Sequence, residues 1–312
     1  MCKLTNKQIE FAKSMFDIDG NTYYDVCREL ENKYGVVINP ESLRYYITRK
    51  DKPKVTLKDK LAIDGISKML VLSDLHVPYH RDDILDIIKK HAEEIEVLVL
   101  GGDVIDCYSI SSFKPLEPKP LITEMANCHR LLKDIQNIIP NVRKIIIKGN
   151  HEERWAKYMS NMSSEVNKLH SDNIMREIVK GFESHDRQAG TITTYEQLDY
   201  EIIDTWYCQV NDVIVCHPIT FSRVAGKTSE MALNYFVEGG FDFNVALVAH
   251  THKASSCYKY GKYAAEIGCT CKPQEYANKD KLTYTQQING YFLATFKDNK
   301  FDINHSRNYI LQ

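Results

Sequence analysis

No stretch of this 312-residue chain approaches the roughly 20 consecutive apolar residues that cross a bilayer, so no membrane span is predicted. Neither sign of charge dominates. Forty Lys and Arg against 42 Asp and Glu leave a net charge of −2, which excludes holding nucleic acid by bulk positive charge; any such contact must be local. The opening MCKLTNKQIE lacks the basic-then-apolar profile of a secretory signal, and nine cysteines lie scattered without the paired spacing of a disulfide framework. Together these absences predict a reducing, cytoplasmic setting. There is no internal repeat and no low-complexity tract. Ordinary apolar and charged fractions, 43% and 26%, exclude a long disordered chain, while the length allows a large domain accompanied by a small one.

The first fifty residues read as three short helices. Ile9, Ala12 and Met15 give helical spacing in the first, and Tyr23, Val26, Cys27 and Leu30 in the second, with Gly35 placed to stop it. Asn39 followed by Pro40 is a helix start, because Asn caps open amides and Pro lacks the one that would go unpaired. If Leu43 and Ile47 of this third helix face inward, Arg44, Tyr45, Thr48 and Arg49 face out, followed by Lys50 and Lys52. From 42 to 60, seven basic residues stand against Asp51 and Asp59, a net +5. A helix-turn-helix-like domain over 1–52 and a basic linker over 53–66 are expected. The outward residues suit a major groove and the lysines suit phosphates; a small bundle used for homo-oligomer contact is the competing use.

From about residue 68, aliphatic runs alternate with amphipathic helical stripes, which implies α/β layering. KMLVLSD, EVLVLGGD and RKIIIKGN read as strands, with Ile84, Ile87, Ile88 and His91 on one intervening helix and Met125, Leu132, Ile135 and Ile139 on another. A helix over 152–169 would carry Trp155, Met159, Met162, Val166 and Leu169, and a polar stretch over 171–200 reads as a cap or lid. The remainder is strand-rich: YEIIDTWYCQV with DVIVCHP, then FNVALVAH, KYAAEIGCTC and a closing hairpin.

Metal-binding residue types collect where the aliphatic runs end. Asp74 and His76, Asp103, Asn150, His217, and His250 with His252 each follow such a run, and the carboxyl ends of strands line the crevice in which α/β sheets bind ligands. Strand alternation lets residues two apart address one point. Two four-donor sets can be drawn if Asp103 bridges: Asp74, His76, Asp103 and His252, then Asp103, Asn150, His217 and His250. Two divalent ions against two aspartates leave a surplus of about +2, which suits a phosphate ester clamped for in-line displacement. Such mixed donors suit manganese, the first expectation, and also iron, nickel or zinc.

The ordered blocks SDLH (73–76), GGDVID (101–106), GNHE (149–152), VCHP (215–218) and AHTH (249–252) resemble the calcineurin-like metallophosphoesterase superfamily, whose pattern is DxH, GDxxD, GNHE or GNHD, GH and GHxH. The likeness spans roughly residues 68–260 and is nearest to phage and bacterial members, in which SDLHxPYH and GNHEER recur. Cys216 and Ala249 replace glycines of the pattern, and Cys107 stands where the related Ser/Thr protein phosphatases have arginine. The resemblance implies a four-layer α/β/β/α sandwich of two mixed sheets over 67–312, beside the small all-α domain. It places His151 and Asp74 in the catalytic machinery, with His151 as the acid that protonates the leaving oxygen after in-line attack by a hydroxide generated on the metals. Asn150 would also position phosphate. Arg154, one helical turn on, is within reach of a phosphate oxygen, a surface ion pair being its competing use. His185 competes with His217 as a ligand, Asp106 supports rather than ligates, and Cys269 and Cys271 read as strand packing. The expected function is a two-metal phosphodiesterase or nuclease acting on DNA. The alternatives are a small-molecule phosphodiesterase or phosphatase, and a DNA-binding regulator with an inert metal domain.

Overall fold

A computed structural model describes residues 4–16, 21–40, 42–43, 60–61, 65–112, 120–162, 168–273 and 287–312. The chain divides into two compact units, Met1–Thr56 and Leu57–Gln312.

In the first unit, helix α1 spans Asn6–Phe16 and α2 spans Tyr23–Tyr34. The Thr22 hydroxyl accepts from the Asp25 N–H, and the Asp25 carboxylate accepts from the Thr22 N–H at 2.9 Å, so two open amides are closed reciprocally. Gly35 ends α2 in the left-handed region, φ 64°, a conformation that a side chain would disfavour. Ala12, Val26, Leu30 and Leu43 are buried together. Asn39 starts a further turn, accepting from the Ser42 N–H through its side chain at 2.7 Å and from the Leu43 N–H through its carbonyl at 2.9 Å. Arg44, Tyr45, Thr48, Arg49, Lys50 and Lys52 lie outside the described residues.

The second unit runs β1 (Lys60–Leu61), β2 (Lys68–Leu72), α3 (Ile84–His91), β3 (Val97–Leu100), α4 (Leu121–Ile138), β4 (Arg143–Ile147), α5 (Glu153–Ser160) and α6 (Ile174–Lys180). The strands β5 (Phe182–Asp186), β6 (Thr191–Tyr195), β7 (Glu201–Ile203), β8 (Tyr207–Val210) and β9 (Val213–Cys216) follow, then α7 (Lys227–Glu238). It closes with β10 (Val245–Val248), β11 (Ala254–Lys259), β12 (Lys262–Ile267), β13 (Gly290–Lys297), β14 (Lys300–Phe301) and β15 (Arg307–Ile310). One sheet is ordered β14-β13-β2-β3-β4-β7, with β15 also on β13; the other is ordered β1-β8-β9-β10-β12-β11. Both are mixed: β2, β3, β4 and β7 are parallel, as are β9, β10 and β12, while β13 and β11 run against their neighbours.

The unbroken aliphatic runs follow from this layering, since a strand covered on both faces has no polar side. Met69 and Val71, Val97 and Val99, and Ile145 and Ile147 pack between the sheets against Val213, Val215, Val245 and Leu247. The alternate residues Leu70, Leu72, Leu98, Leu100 and Ile146 face the other way, onto Ile84, Ile88, Leu132, Ile135 and Ile178 of α3, α4 and α6. On the far side, Ile214, Cys216, Ala246 and Val248 meet Leu233 and Phe236 of α7. Helix, sheet, sheet, helix is the four-layer sandwich expected. Among the described residues no helix is long and apolar enough to cross a membrane.

Two expectations are corrected. YEIIDTWYCQV is not one strand: Glu201–Ile203 pairs with β4, whereas Tyr207–Val210 pairs with β9 in the other sheet. The break falls at Asp204, whose carboxylate accepts from Asn173 at 3.2 Å and from Arg176 at 2.6 Å, tying the crossover to α6. The helix expected over 152–169 ends at Ser160, where the Ser160 hydroxyl and the Asn161 amide both donate to the Lys157 carbonyl, at 2.7 and 3.1 Å, and compete with its helical partner. Trp155 and Met159 are buried accordingly, while Met162 and Leu169 are exposed. Residues 171–200 comprise α6, whose Ile174, Met175 and Ile178 are buried, and the exposed hairpin β5–β6.

Candidate metal centre

The carboxyl ends of β2, β3 and β4 in one sheet and of β9 and β10 in the other carry the seven donor residues. The loops after β2 and β3 continue their strands' pairing, with the Asp74 N–H donating to the Gly102 carbonyl at 3.1 Å and the His76 N–H to the Asp103 carbonyl at 2.9 Å. The two-residue spacing of donors does not work by strand alternation, however. Asp74, His76, Asp103, His250 and His252 all adopt the left-handed region, with φ of 53°, 50°, 50°, 75° and 52°. For a side-chain-bearing residue that conformation costs roughly 1–3 kcal/mol, and such strain concentrates at functional sites. Asp74 and His76 share one donor set with His252, while His250 joins the neighbouring one.

Two donor sets result. His252 Nε2 lies 3.2 Å from Asp74 Oδ1 and 3.2 Å from His76 Nε2, and His76 Nε2 lies 4.0 Å from Asp74 Oδ1 and 3.8 Å from Asp103 Oδ2. On the other side of the same Asp103 oxygen, His217 Nε2 stands at 3.3 Å and itself lies 3.1 Å from Asn150 Oδ1. Asp103, His217 and His250 offer donor atoms within 4.8 Å of one another. Asp103 Oδ2 is thus common to both sets.

The surroundings fix which nitrogens carry lone pairs. His76 Nδ1 is 3.1 Å from Asp106 Oδ2 and His217 Nδ1 is 2.8 Å from the Gly101 carbonyl, so each directs its N–H outward and its Nε2 lone pair inward. His252 Nδ1 is 2.7 Å from the Gln287 amide, which meets an N–H with its oxygen once the amide is turned that way. Converging lone pairs and carboxylates repel unless a cation stands between them. Asp74 supplies the independent mark of a cation position: Oδ2 accepts from the His250 N–H at 3.1 Å, whereas the buried Oδ1 has no hydrogen bond among the described residues and faces His252 Nε2 at 3.2 Å.

Protons occupy this role when cations do not. Burial pushes His217 down, but the charge and close contact of Asp103, with Asp74 behind it, outweigh burial and lift it to about 9. His252 is raised for the same reason, burial being overcome by Asp74. Burial, then the charge of His217, holds His250 down to about 4. A cation must therefore displace the His217 proton, so affinity should strengthen as pH rises toward 9 and weaken by roughly tenfold per unit below it for each proton displaced. Calorimetric titration of metal into the protein, repeated in buffers of different ionisation enthalpy, would count the released protons; no release would contradict this assignment.

His151 sits above the shared carboxylate. Its N–H donates to Asp103 Oδ1 at 2.8 Å, its Nδ1 is 2.9 Å from the Asp106 carbonyl, and its Nε2 is 3.7 Å from Asp103 Oδ2. Burial lowers it, but the charge of Asp103 and the bond to Asp106 together raise it above its ordinary value. Arg154 does form an ion pair, but with the buried Asp106 beside the centre. It donates to the Asp106 carbonyl at 2.8 Å and to Asp106 Oδ1 at 3.2 Å, and its Nη2 stands 3.1 Å from His151 Nε2. His185 lies exposed on the β5–β6 hairpin, 3.4 Å from Glu183, and takes no part. Cys216 and Ala249 are both buried, and His217 and His250 reach the centre with them in place of glycine.

Sequence reading assigns Glu152 no role, yet its buried carboxylate accepts from the N–H groups of Asp103, Val104 and Gly149 at 3.0, 2.7 and 2.9 Å. It clamps two donor loops together, and its only signal in the sequence is the last letter of GNHE. A Cβ at Gly149 would stand 2.2 Å from Asp103 Oδ1, so the position is closed to any side chain. Cys269 and Cys271 border the centre as well: the Cys269 thiol is drawn down to about 5 by its hydrogen bond with Cys271, against burial, and further by His252.

A strained set of imidazoles and carboxylates at the meeting edges of two sheets in a four-layer sandwich defines a metal-dependent phosphoesterase. The chain belongs to the calcineurin-like phosphoesterase family, whose model matches residues 67–254. Similar solved structures include Vps29 from Entamoeba histolytica complexed with zinc, at 13% identity over 78% of this chain and 98% of that one, with a TM-score of 0.36. A predicted phosphoesterase from Streptococcus pneumoniae TIGR4 matches at 11% identity over 80% of this chain and all of that one, 100%, with a TM-score of 0.30. An archaeal phosphodiesterase matches at 12% identity over 78% and 99%, with a TM-score of 0.33. No curated protein sequence matches the chain significantly.

Proposed function

We propose that this chain is a two-metal phosphodiesterase of nuclease type that hydrolyses DNA, with residues 1–52 recruiting the nucleic acid, a short basic tether after them, and a hydrolytic unit that already includes β1 (Lys60–Leu61) and runs to residue 312. The observation that carries the reading is the single Asp103 oxygen common to both donor sets. Bound there, two divalent cations of the manganese, iron, nickel or zinc kind polarise the phosphoryl group and acidify water.

The chain's own groups do the rest. Asp74, His76, Asp103 and His252 hold one cation, and Asp103, Asn150, His217 and His250 the other. His151, fixed through Nδ1, presents Nε2 to the leaving oxygen as general acid. Arg154 offers its guanidinium beside that atom, and Asn150 borders the same face, so both can meet non-bridging phosphate oxygens. A polymeric substrate is supported by Phe221, half-exposed and edge-on to His250 at 4.9 Å between ring centroids, a face on which a base can stack. The net +5 of residues 42–60 supplies phosphate contacts.

The test is a panel of DNA, nucleotides and a chromogenic diester, run on the full chain with manganese and with chelator. Chelator-sensitive cleavage of DNA is expected. In a full-length variant with Arg44, Arg49, Lys50 and Lys52 changed to Gln, the logarithmic salt slope of DNA binding should fall by roughly 3–4, since each phosphate contact contributes about 0.9. Turnover of the chromogenic diester should stay unchanged. An unaltered slope with intact small-substrate turnover would favour a small-molecule phosphodiesterase, and absence of bindable divalent ions would leave only a binding role.

A further inference from the structure

Behind His252 the chain passes through Cys269, Thr270 and Cys271, all fully buried. The segment packs as expected, but through isolated bridges, Cys269 with Asn289 and Cys271 with His80, rather than as a full strand. Thr270 pins it to the donor loop after β2, its N–H and hydroxyl both donating to the Ser73 carbonyl at 2.9 and 2.8 Å. Asn289 holds the far end, its amide donating to the Cys271 carbonyl at 2.7 Å. So anchored, Cys271 Sγ, a ring nitrogen of His76 and a ring nitrogen of His252 lie within 4.8 Å of one another. Asp74 Oδ1, buried and without a hydrogen bond among the described residues, stands 3.2 Å from Nε2 of the same His252.

Resting on the two-cation reading above, we propose that Cys271 is a fifth protein donor at the position formed by Asp74, His76, Asp103 and His252, so that this position takes a thiophilic divalent ion. A thiolate about 2.3 Å and an imidazole about 2.1 Å from one zinc ion stand at most about 4.4 Å apart. The three donor atoms lie within 4.8 Å of one another, so a small inward movement of Cys271 Sγ brings it into reach of a shared ion. The neighbouring position, with only oxygen and nitrogen donors from Asp103, Asn150, His217 and His250, has no sulfur and accepts manganese. The two positions are therefore chemically unequal. Ligation releases the thiol proton of Cys271 to solvent and leaves its sulfur reduced.

The test loads metal-free full-length protein with cobalt(II) and follows its optical spectrum. A thiolate-to-cobalt charge-transfer band in the near ultraviolet is expected in the wild type and in Cys269→Ser, and its loss in Cys271→Ser with two cobalt ions still bound. In zinc–manganese competition, Cys271→Ser should lose preference for zinc by roughly tenfold or more, at least the scale seen when a ligand's supporting partner is removed. Two cobalt ions with visible bands but no charge-transfer band in the wild type would overturn the sulfur donor and leave the two-cation reading standing. A band lost in Cys269→Ser and kept in Cys271→Ser would also overturn the assignment. No cobalt bound at all would overturn the two-cation reading and this proposal with it.

Discussion

Asp103→Asn should cut phosphodiester hydrolysis by roughly 10⁴-fold or more, equivalent to about 5.5 kcal/mol of transition-state stabilisation. The side chain has two jobs that its two oxygens divide. Oδ1 accepts the His151 N–H at 2.8 Å, and an asparagine oxygen can keep that bond. Oδ2 faces His76 at 3.8 Å and His217 at 3.3 Å, and there the substitution puts an uncharged N–H₂ against two nitrogens whose lone pairs point inward. Both donor sets lose their shared anion in one change. Metal content should therefore fall from two ions to one or none per chain, with the fold retained because the inter-sheet core is untouched. Elemental analysis after gel filtration, paired with kcat/KM on a chromogenic diester, reads both effects. A variant that keeps two ions and loses less than tenfold in rate would show that Asp103 does not bridge.

How far the sequence discloses this centre depends on whether a feature is local. Each aliphatic run shows its strand because both faces are covered, and each run's end shows where its polar residue must emerge; that is why Asp74, Asp103, Asn150, His217 and His250 can be located without coordinates. The left-handed backbone at five of the donors has only a weak signature, since Asp and His visit positive φ more often than most residues but mark it far less sharply than glycine does. Glu152 is likewise silent, and the partner of Arg154 is not legible. Their roles come from N–H groups and carbonyls some fifty residues away, contacts between Glu152 and Asp103 or Arg154 and Asp106 that no periodicity encodes. The same holds for YEIIDTWYCQV, which has the composition of one strand and is divided only because Asn173 and Arg176 capture Asp204. The CTC segment reads as packing from its composition, and only the Thr270 anchor to Ser73 brings it to the donors.

His151→Asn should separate acid catalysis from metal binding. The backbone N–H of His151 holds Asp103, which any residue can do, its Nδ1 is committed to the Asp106 carbonyl, and its Nε2 stands 3.7 Å from Asp103 Oδ2. What is lost is a proton at Nε2. A DNA leaving group is an alkoxide, which departs poorly without protonation, so cleavage of an oligonucleotide should fall by roughly 10²–10⁴-fold. A nitrophenolate leaves readily as the anion, and its release should fall by less than about tenfold in the same variant. Two cations should remain bound, because the donor sets are intact. The pH profile gives a second reading of the sign. The charge of Asp103 and the bond to Asp106 overcome burial and raise His151 above its ordinary value, so its proton is held to higher pH than on a free imidazole, and the rate on DNA should decline on the alkaline side as that proton is lost. The decline should vanish in His151→Asn. Equal losses on both leaving groups, or an alkaline limb that survives the substitution, would assign the proton to another group.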